Sequence, residues 1–347
     1  MDRNKAEKRM ATAPVGRLML QMGTPMILSM MLQAVYNIVD SYFVANMAGN
    51  GEIAVNALTL AFPVQMMMVA VGIGTGVGAN ALIARALGQG DREKAGAAAG
   101  NAMTLMGIIY AVCLLFGAFG AGAYIGSQTS DPIALAMGSQ YLRICCMASF
   151  GILFFSVFEK TLQATGRSLY STIAQVAGAL TNIVLDPIMI YGLLGCPKLG
   201  VAGAAWATVI SQGISGILCL VYIVKAVPIL HLHKEDWRPS GHLLKIQLAV
   251  GIPMALQYSI TAIGTMMVQT ALNLLGSTQV AAFTAANKIE QIVTQAYVAM
   301  GTTMATYCAQ NIGAGKIKRI RQGFKSITIM GSIYSVVVAA IIMTVGK

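Results

Sequence analysis

Charged residues are scarce in this chain of 347 residues. Asp, Glu, Lys and Arg together make up 10% of it, while hydrophobic residues make up 56%. A soluble globular domain has about 25% charged residues, so the composition excludes an ordinary soluble protein. Long apolar runs stand in place of the missing charge and predict a polytopic membrane protein.

Signatures of nucleotide, metal and cofactor binding are also missing. No G-x-x-x-x-G-K-[ST] segment occurs, so we do not expect ATP as the direct energy source. The six cysteines lack zinc-ligand spacing and are expected to be buried free thiols. All three histidines lie in one loop, at His231, His233 and His242, where a solvated loop is favoured over a metal site. We therefore predict no enzyme and no bound cofactor.

Nine apolar segments follow one another along the chain. Each reaches the ~20 residues that a helix needs to cross a bilayer, which predicts an all-α, polytopic transmembrane bundle. The segments lie at roughly 18–44, 53–84, 95–124, 137–158, 169–194, 201–227, 244–275, 280–308 and 324–345.

Lys and Arg are concentrated in alternate loops, on the side of the basic N-terminal tail. By the positive-inside rule this predicts a cytoplasmic N-terminus in the plasma (inner) membrane. The net charge of +11 therefore reports membrane topology, and we expect no nucleic-acid partner. An odd number of spans places the C-terminus outside, and the chain is expected to be truncated.

The sequence repeats itself at an offset of 225 to 228 residues. Gly23-Thr-Pro-Met opens the first span and Gly251-Ile-Pro-Met the seventh, while Gly88-Gln-Gly after the second matches Gly313-Ala-Gly after the eighth. An even number of spans per repeat predicts two parallel six-helix bundles, a transporter architecture, with the second one incomplete. The predicted division is a tail (1–16), a first bundle (17–227), a linker (228–243) and a partial second bundle (244–347).

An acid lies inside the first span, at Asp40. A charge at this depth costs several kcal/mol unless it is paired, hydrated or protonated. Gln33, Tyr36, Asn37 and Asp40 are three and four residues apart and share one helix face. This stripe predicts a water-filled cavity or an ion path, and an acid buried for packing is the alternative.

A second acid lies in the fifth span. Asn182 and Asp186 are four residues apart and share a face, and Pro187 removes a backbone hydrogen bond beside them. Freed carbonyl groups next to a carboxylate suit a small cation or a proton relay, whereas a kink needed only for packing is the alternative.

Other polar positions leave their roles open. Gln257 and Thr261 are four residues apart in the seventh span. This spacing fits either a cavity wall or hydrogen bonds between helices. The glycines of the second span, from Gly72 to Gly78, lie in mid-membrane with no strand before them, so close helix packing is favoured over nucleotide binding.

These motifs jointly resemble the multidrug and toxic compound extrusion (MATE) family. The resemblance implies two six-helix bundles around a central cavity, and export of organic, usually cationic, compounds in exchange for H⁺ or Na⁺. The matching segments are Pro25 with Asn37-Ile-Val-Asp40, Gly88-Gln-Gly-Asp91, Gln163-Ala-Thr-Gly166, Asn182-Ile-Val-Leu-Asp186-Pro187, Gly200-Val-Ala-Gly203 and Gln310-Asn-Ile-Gly313.

The resemblance also implies roles for single residues. Asp40 matches the acid of the first helix, and Asn182 with Asp186 matches the Asn-x-x-x-Asp of the fifth helix in the DinF-like branch. Thr208 matches a sixth-helix threonine near the cation. Asp40, Asn182 and Asp186 would bind Na⁺ if the transporter is sodium-coupled. The NorM-like branch has a glutamate near the position of Thr261, so we expect the coupling site in the first bundle.

The sequence thus predicts a secondary active exporter that works by alternating access. It would be a monomer among membrane lipids, with organic cations as substrates and Gln33, Tyr36, Asn37, Gln257 and Thr261 along the cavity. Two alternatives stay open. A lipid-linked precursor flippase of the same superfamily would need a cationic cavity, and a non-transporting membrane protein or an aspartyl-type enzyme would need no ion gradient.

Overall fold

The computed structural model describes residues 12–47, 51–227, 240–273 and 277–345, and within these ranges every regular element is a helix. Most of the predicted tail and most of the predicted linker, with His231 and His233, lie outside the described residues. The helices are α1 (Val15–Ala45), α2 (Gly51–Gln89), α3 (Arg92–Leu115), α4 (Ala121–Gly126), α5 (Pro132–Met147), α6 (Phe150–Ala164), α7 (Ser168–Tyr191), α8 (Val201–Ala226), α9 (Gly241–Asn273), α10 (Ser277–Gly313) and α11 (Ile317–Val345).

The all-α transmembrane prediction is confirmed. Within the described residues, seven helical segments are each long and apolar enough to cross a membrane, and a π-helical turn at Phe116–Gly120 joins α3 to α4 within one of them. The fourth predicted span is a bent pair, α5 and α6, with an angle of 44° between them. The eighth, α10, is helical where predicted but is not among the seven, so nine is an approximate count.

Small side chains let the helices of the first bundle approach closely. α7 packs between α1 and α8, and α6 packs against both α2 and α8. Alanines are prominent in the core between α2, α3 and α6, where Ala79, Ala84, Ala98 and Ala164 are all buried. Small residues at such contacts replace the hydrophobic driving force that helices in lipid lack.

The two halves of the chain meet through a reciprocal glycine contact. A Cβ atom built on Gly88 of α2 would collide with the carbonyl oxygen of Gln310 in α10, and one on Gly313 would collide with the carbonyl oxygen of Arg85. Gly88 and Gly313 are counterparts in the repeat, and so are Arg85 and Gln310. Each glycine therefore contacts the counterpart of the residue that the other glycine contacts. Two repeats related by a two-fold axis make this kind of contact.

The glycines of the second span serve close packing, as predicted. Gly74 lies against Gly251 of α9, where a Cβ on Gly251 would be 2.7 Å from the Gly74 carbonyl oxygen. Gly76 faces another neighbour, and its Cβ would be 2.8 Å from the Lys160 side chain in α6. α2 therefore packs tightly against both the rest of the first bundle and the second half.

A buried polar network, here called the interface cluster, connects α6, α2 and α10. The Asn80 amide donates to the Lys160 carbonyl oxygen (2.9 Å), and the Thr306 hydroxyl donates to Asn80 Oδ1 (2.9 Å). Lys160 Nζ lies 3.5 Å from Glu159 Oε2 and donates to Gln163 Oε1 (3.2 Å), while Gln163 donates to Glu159 Oε1 (2.8 Å). The five residues thus satisfy one another across the boundary between the halves.

Candidate functional site

The packing of α1 against α7 brings the two predicted acids together. Asp40 lies five residues before the end of α1, while Asn182 and Asp186 lie one turn apart on the buried face of α7. Asp186 is 0% exposed and Asn182 is 1% exposed. The Asn182 amide donates to Asp186 Oδ1 at 3.3 Å, so the spacing of four acts as the sequence predicted.

Asp40 is close enough to Asp186 for the two carboxylates to interact electrostatically. Asp40, Asn182 and Asp186 form what we call the acid site. Among the described residues, three of its oxygens are buried without a hydrogen-bond donor: Asp40 Oδ1, Asn182 Oδ1 and Asp186 Oδ2. Buried polar atoms are nearly always satisfied, so these three oxygens make the acid site a candidate position for a proton or a small cation.

A pair of glutamines extends the acid site along the same two helices. Gln175 Nε2 of α7 donates to Gln33 Oε1 of α1 at 2.9 Å. Gln33 was predicted as a cavity residue and Gln175 was not, although Gln175 lies seven residues before Asn182 and therefore on the same face of α7. This spacing of seven is the sequence signal that identifies Gln175.

A second wall of the acid site comes from α5 and α2. The Gln65 amide donates to the buried Tyr141 hydroxyl at 3.0 Å, and Asp40 interacts electrostatically with Tyr141 and Cys145. Sequence reasoning missed these residues because single tyrosines and glutamines in apolar helices are common. Only the packing of α5 brings Tyr141 near the acid.

The other predicted site residues do not join the acids by hydrogen bonds within the described part of the chain. The half-buried Thr208 donates to Ala204 in its own helix at 3.0 Å. Gln257 and Thr261 are exposed on α9, and the Thr261 hydroxyl donates to the Gln257 carbonyl oxygen at 2.8 Å. The side chains of Tyr36 and Asn37 lie outside the described residues.

The acid site has the chemistry of a weak oxygen-ligand site. Among the described residues, no three His, Cys, Asp or Glu side chains converge as a metal site would need. A cation bound here would rely on two carboxylates, the Asn182 oxygen and backbone carbonyl groups. Oxygen ligands of this kind suit hard cations.

Comparison with known proteins gives consistent relatives. The sequence profile of the MatE family matches residues 25–188 and 250–347. A probable multidrug resistance protein, YoeA of Bacillus subtilis, is 27% identical, with 86% of this chain and 65% of the relative covered. An FAD transporter of Shewanella oneidensis is 24% identical, with 90% and 68% covered. The chain spans about two thirds of the length of these curated relatives.

Solved structures agree with these sequence relatives. An outward-facing multidrug resistance MATE family transporter of the MOP superfamily has a TM-score of 0.90 at 26% identity, with 98% of this chain and 74% of that chain covered. A MOP superfamily transporter from Pyrococcus furiosus, described as having a binding pocket of reverse polarity, has a TM-score of 0.88 at 26% identity, with the same shares covered. The chain therefore belongs to the MatE family of membrane transporters, and it is an integral membrane protein rather than an enzyme.

Proposed function

We propose that this chain carries the ion-coupling site of a secondary active multidrug exporter, which exchanges organic cations for H⁺ or Na⁺. The observation that supports this most directly is the acid site, where two interacting carboxylates and an amide leave three buried oxygens without donors. An intramembrane acid is a functional site by default. Buried oxygens without donors cost free energy, and an exchangeable proton or cation would satisfy them.

Binding at the acid site would change how α1 and α7 fit together. A bound cation or proton removes the repulsion between Asp40 and Asp186, and its release restores that repulsion. Pro187 follows Asp186 directly and leaves the Ile183 carbonyl oxygen without its helical donor. This gives α7 a point at which it can bend and one more oxygen for the ion.

The contact between the halves supplies the second part of alternating access. The Gly88–Gly313 contact and the Asn80–Thr306 hydrogen bond hold the ends of α2 and α10 together. With the orientation that the basic loops predict, this is the cytoplasmic side. The chain therefore corresponds to a state closed to the cytoplasm, and rocking of the repeats would open that side instead.

The negative charge of the acid site favours cationic substrates. Relatives named as multidrug export proteins, among them MepA of Staphylococcus aureus at 24% identity, support xenobiotic export. Other relatives of the same fold are named for FAD transport or for a pocket of reverse polarity, so the fold alone does not decide the substrate. A flippase for lipid-linked phosphates would need a cationic cavity, which the two acids oppose.

The test combines binding and transport. Purified chain would be titrated with radioactive Na⁺ at several pH values, and vesicles containing it would be loaded with a cationic dye under an imposed Na⁺ or pH gradient. We expect Asp40→Asn and Asp186→Asn to weaken Na⁺ binding, or gradient-driven dye export, about tenfold or more, because a hydrogen-bonded charged group contributes about 1.5–3 kcal/mol. Glu93→Gln removes an exposed acid and serves as the control.

Each outcome has a distinct meaning. Sodium binding that depends on both acids supports Na⁺ coupling, and dye export driven only by a pH gradient supports H⁺ coupling. Export of FAD in place of dye would leave the coupling site standing but contradict the cationic substrate. If both Asn variants match Glu93→Gln in every assay, the coupling role is wrong.

A further inference from the structure

The segment that leads into α11 carries five cations within the ten residues 316–325: Lys316, Lys318, Arg319, Arg321 and Lys325. No Asp or Glu occurs in the sequence after Glu290. The positive-inside rule accounts for the sign of this charge but not for its density. The first turn of α11 also contains no acid, although positive charge is unfavourable at a helix N-terminus. The cations therefore do not stabilise the helix that carries them, and they favour an external anion at this end.

One face of this end of α11 is fixed by packing against α1 and α10. Ile320 and Ile327 pack against a buried cluster that includes Met19 of α1 and Tyr307 of α10. The Tyr307 hydroxyl donates to the Arg319 carbonyl oxygen at 3.0 Å. These contacts hold the start of the helix in one orientation, so the orientation of its opposite face is fixed as well.

The opposite face is exposed and combines cations with apolar side chains. Lys318, Arg321 and Lys325 are exposed, and within the described residues their side chains have neither an ion pair nor a hydrogen bond. Ile317 is 56% exposed and Phe324 is 64% exposed. Steps of three and four residues connect all five through Arg321, so they share one side of the helix. We call these five residues the basic face.

The rest of α11 shows where the hydrocarbon layer lies relative to the basic face. From Ser326 to Val345 the helix carries no charged residue. None of its most apolar stretch is buried, and its large exposed side chains are Ile329, Ile333, Val336, Val337, Ile341, Ile342 and Met343. An exposed apolar stretch of about 20 residues lies in lipid, whereas Lys and Arg keep their charges at the headgroups. The change from basic to apolar side chains after Lys325 therefore marks the edge of the hydrocarbon, with the basic face on the headgroup side.

We propose that the basic face binds the headgroups of anionic phospholipids, with its three cations at the phosphate oxygens and Phe324 among the upper parts of the acyl chains. Clusters of about four to eight Lys and Arg residues immediately next to a transmembrane helix are typical of such binding. The exposed apolar pair favours a lipid over a free anion, because a soluble phosphate gains nothing from contact with Ile317 or Phe324. With the orientation that the basic loops predict, the lipid comes from the cytoplasmic leaflet.

A tryptophan on the basic face would report which lipid lies next to it. The chain has two tryptophans, so Trp206→Phe with Trp237→Phe gives a background without them, and Phe324→Trp adds the reporter. The full chain would be placed in phosphatidylcholine vesicles that contain phosphatidylglycerol or phosphatidylcholine with brominated acyl chains, which quench tryptophan fluorescence on contact. We expect phosphatidylglycerol to be favoured at the reporter at least about fivefold, the ratio that one juxtamembrane cation contributes.

Variants assign the preference to the basic face. Arg321→Gln with Lys325→Gln should lower the preference for phosphatidylglycerol about threefold or more, because two of the three cations are lost. Lys225→Gln with Lys245→Gln is the matched control. It removes two exposed cations of α8 and α9 that the positive-inside rule places on the same membrane side, and it should leave the preference unchanged.

Two further measurements need no change to the cations. Ile341→Trp in place of Phe324→Trp puts the reporter at an exposed position about 25 Å further along α11, where we expect no preference. Raising the NaCl concentration to about 1 M shortens the Debye length to about 3 Å. The preference at the Phe324→Trp reporter should then disappear.

Three results would overturn the proposal. Equal quenching by the two brominated lipids at the Phe324→Trp reporter would mean that the basic face does not select anionic lipid. The same preference at the Ile341→Trp reporter, or equal losses from the two pairs of Gln variants, would show only a general attraction between a basic protein and an anionic vesicle. Lastly, a preference that sodium phosphate abolishes at constant ionic strength would make the basic face a site for a soluble anion.

Discussion

Two buried polar clusters of the described chain differ in charge balance and in hydrogen bonding. In the interface cluster of Asn80, Glu159, Lys160, Gln163 and Thr306, each member is hydrogen-bonded to another member, and a positive charge accompanies the negative one. In the acid site, two negative charges interact with each other, and three oxygens lack donors. Both clusters lie between helices of an apolar bundle.

This difference separates a structural cluster from a ligand site. Satisfied polar groups contribute to a specific arrangement of helices, and removing one partner costs free energy because the other partner is left buried and unpaired. Unsatisfied groups cost free energy from the start and are kept where a ligand completes them. Changes in the interface cluster should therefore lower stability, whereas changes in the acid site should lower transport and spare stability.

Lys160→Met should have the largest effect on stability. It removes the cation that faces Glu159, and losing one partner of a buried ion pair costs about 3 kcal/mol or more. The thermal unfolding midpoint of purified chain would measure this, with Lys245→Met, at an exposed lysine, as the control. Adding Glu159→Gln should recover part of the loss, and equal midpoints for Lys160→Met and the control would contradict the structural role.

Gly88→Ala should have the second-largest effect on stability. The added methyl group would collide with the backbone of α10, and overpacking of this kind costs about 1–3 kcal/mol. Gly313→Ala should cause a loss of similar size, because the contact is reciprocal. Gly107→Ala is the matched control, since a Cβ there meets nothing within 4 Å. A loss for only one of the first two variants would argue against the two-fold relation.

Thr306→Val should cost about 1 kcal/mol, because it removes a single hydrogen bond between the halves and leaves Asn80 Oδ1 unsatisfied. Thr302→Val is the control, since the Thr302 hydroxyl donates to the Val298 carbonyl oxygen within its own helix. Denaturation in detergent would compare the two variants. Equal losses of stability for the two variants would contradict a specific contribution from the Thr306–Asn80 hydrogen bond.

Asp186→Asn should have the smallest effect on stability, about 1 kcal/mol or less, and in the stabilising direction. It removes one of two like charges while keeping the shape of the side chain, and functional sites commonly sacrifice stability. The same variant should lose coupled export. A midpoint lowered as far as in Lys160→Met would show that the acid site is a structural cluster after all.

Sequence patterns predicted the helices and the Asn182–Asp186 pair because both depend on local spacing. Long apolar runs located the spans, and the spacing of Asn182 and Asp186 correctly placed them on one buried face. The close packing of Gly74 followed from the glycine pattern. These features need no knowledge of neighbouring helices.

Features that depend on the neighbouring helix were missed. Hydropathy gave no sign of the bend between α5 and α6, because apolar residues continue through it. Gln65 and Tyr141 became site residues only through the packing of α5 on α2. Likewise, the spacing of Gln257 and Thr261 could not distinguish a cavity wall from an exposed helix face. In a bilayer, hydrophobicity indicates that a helix spans but not which side faces its neighbours.

The reciprocal glycine contact has a consequence for the origin of the fold. A contact in which each surface meets a copy of itself is isologous, so one surface is enough to form it. Two separate molecules of a six-helix ancestor could therefore have associated through Gly88 and its carbonyl partner before any fusion. Gene duplication would then have joined a working homodimer into one polypeptide, after which the two halves were free to diverge.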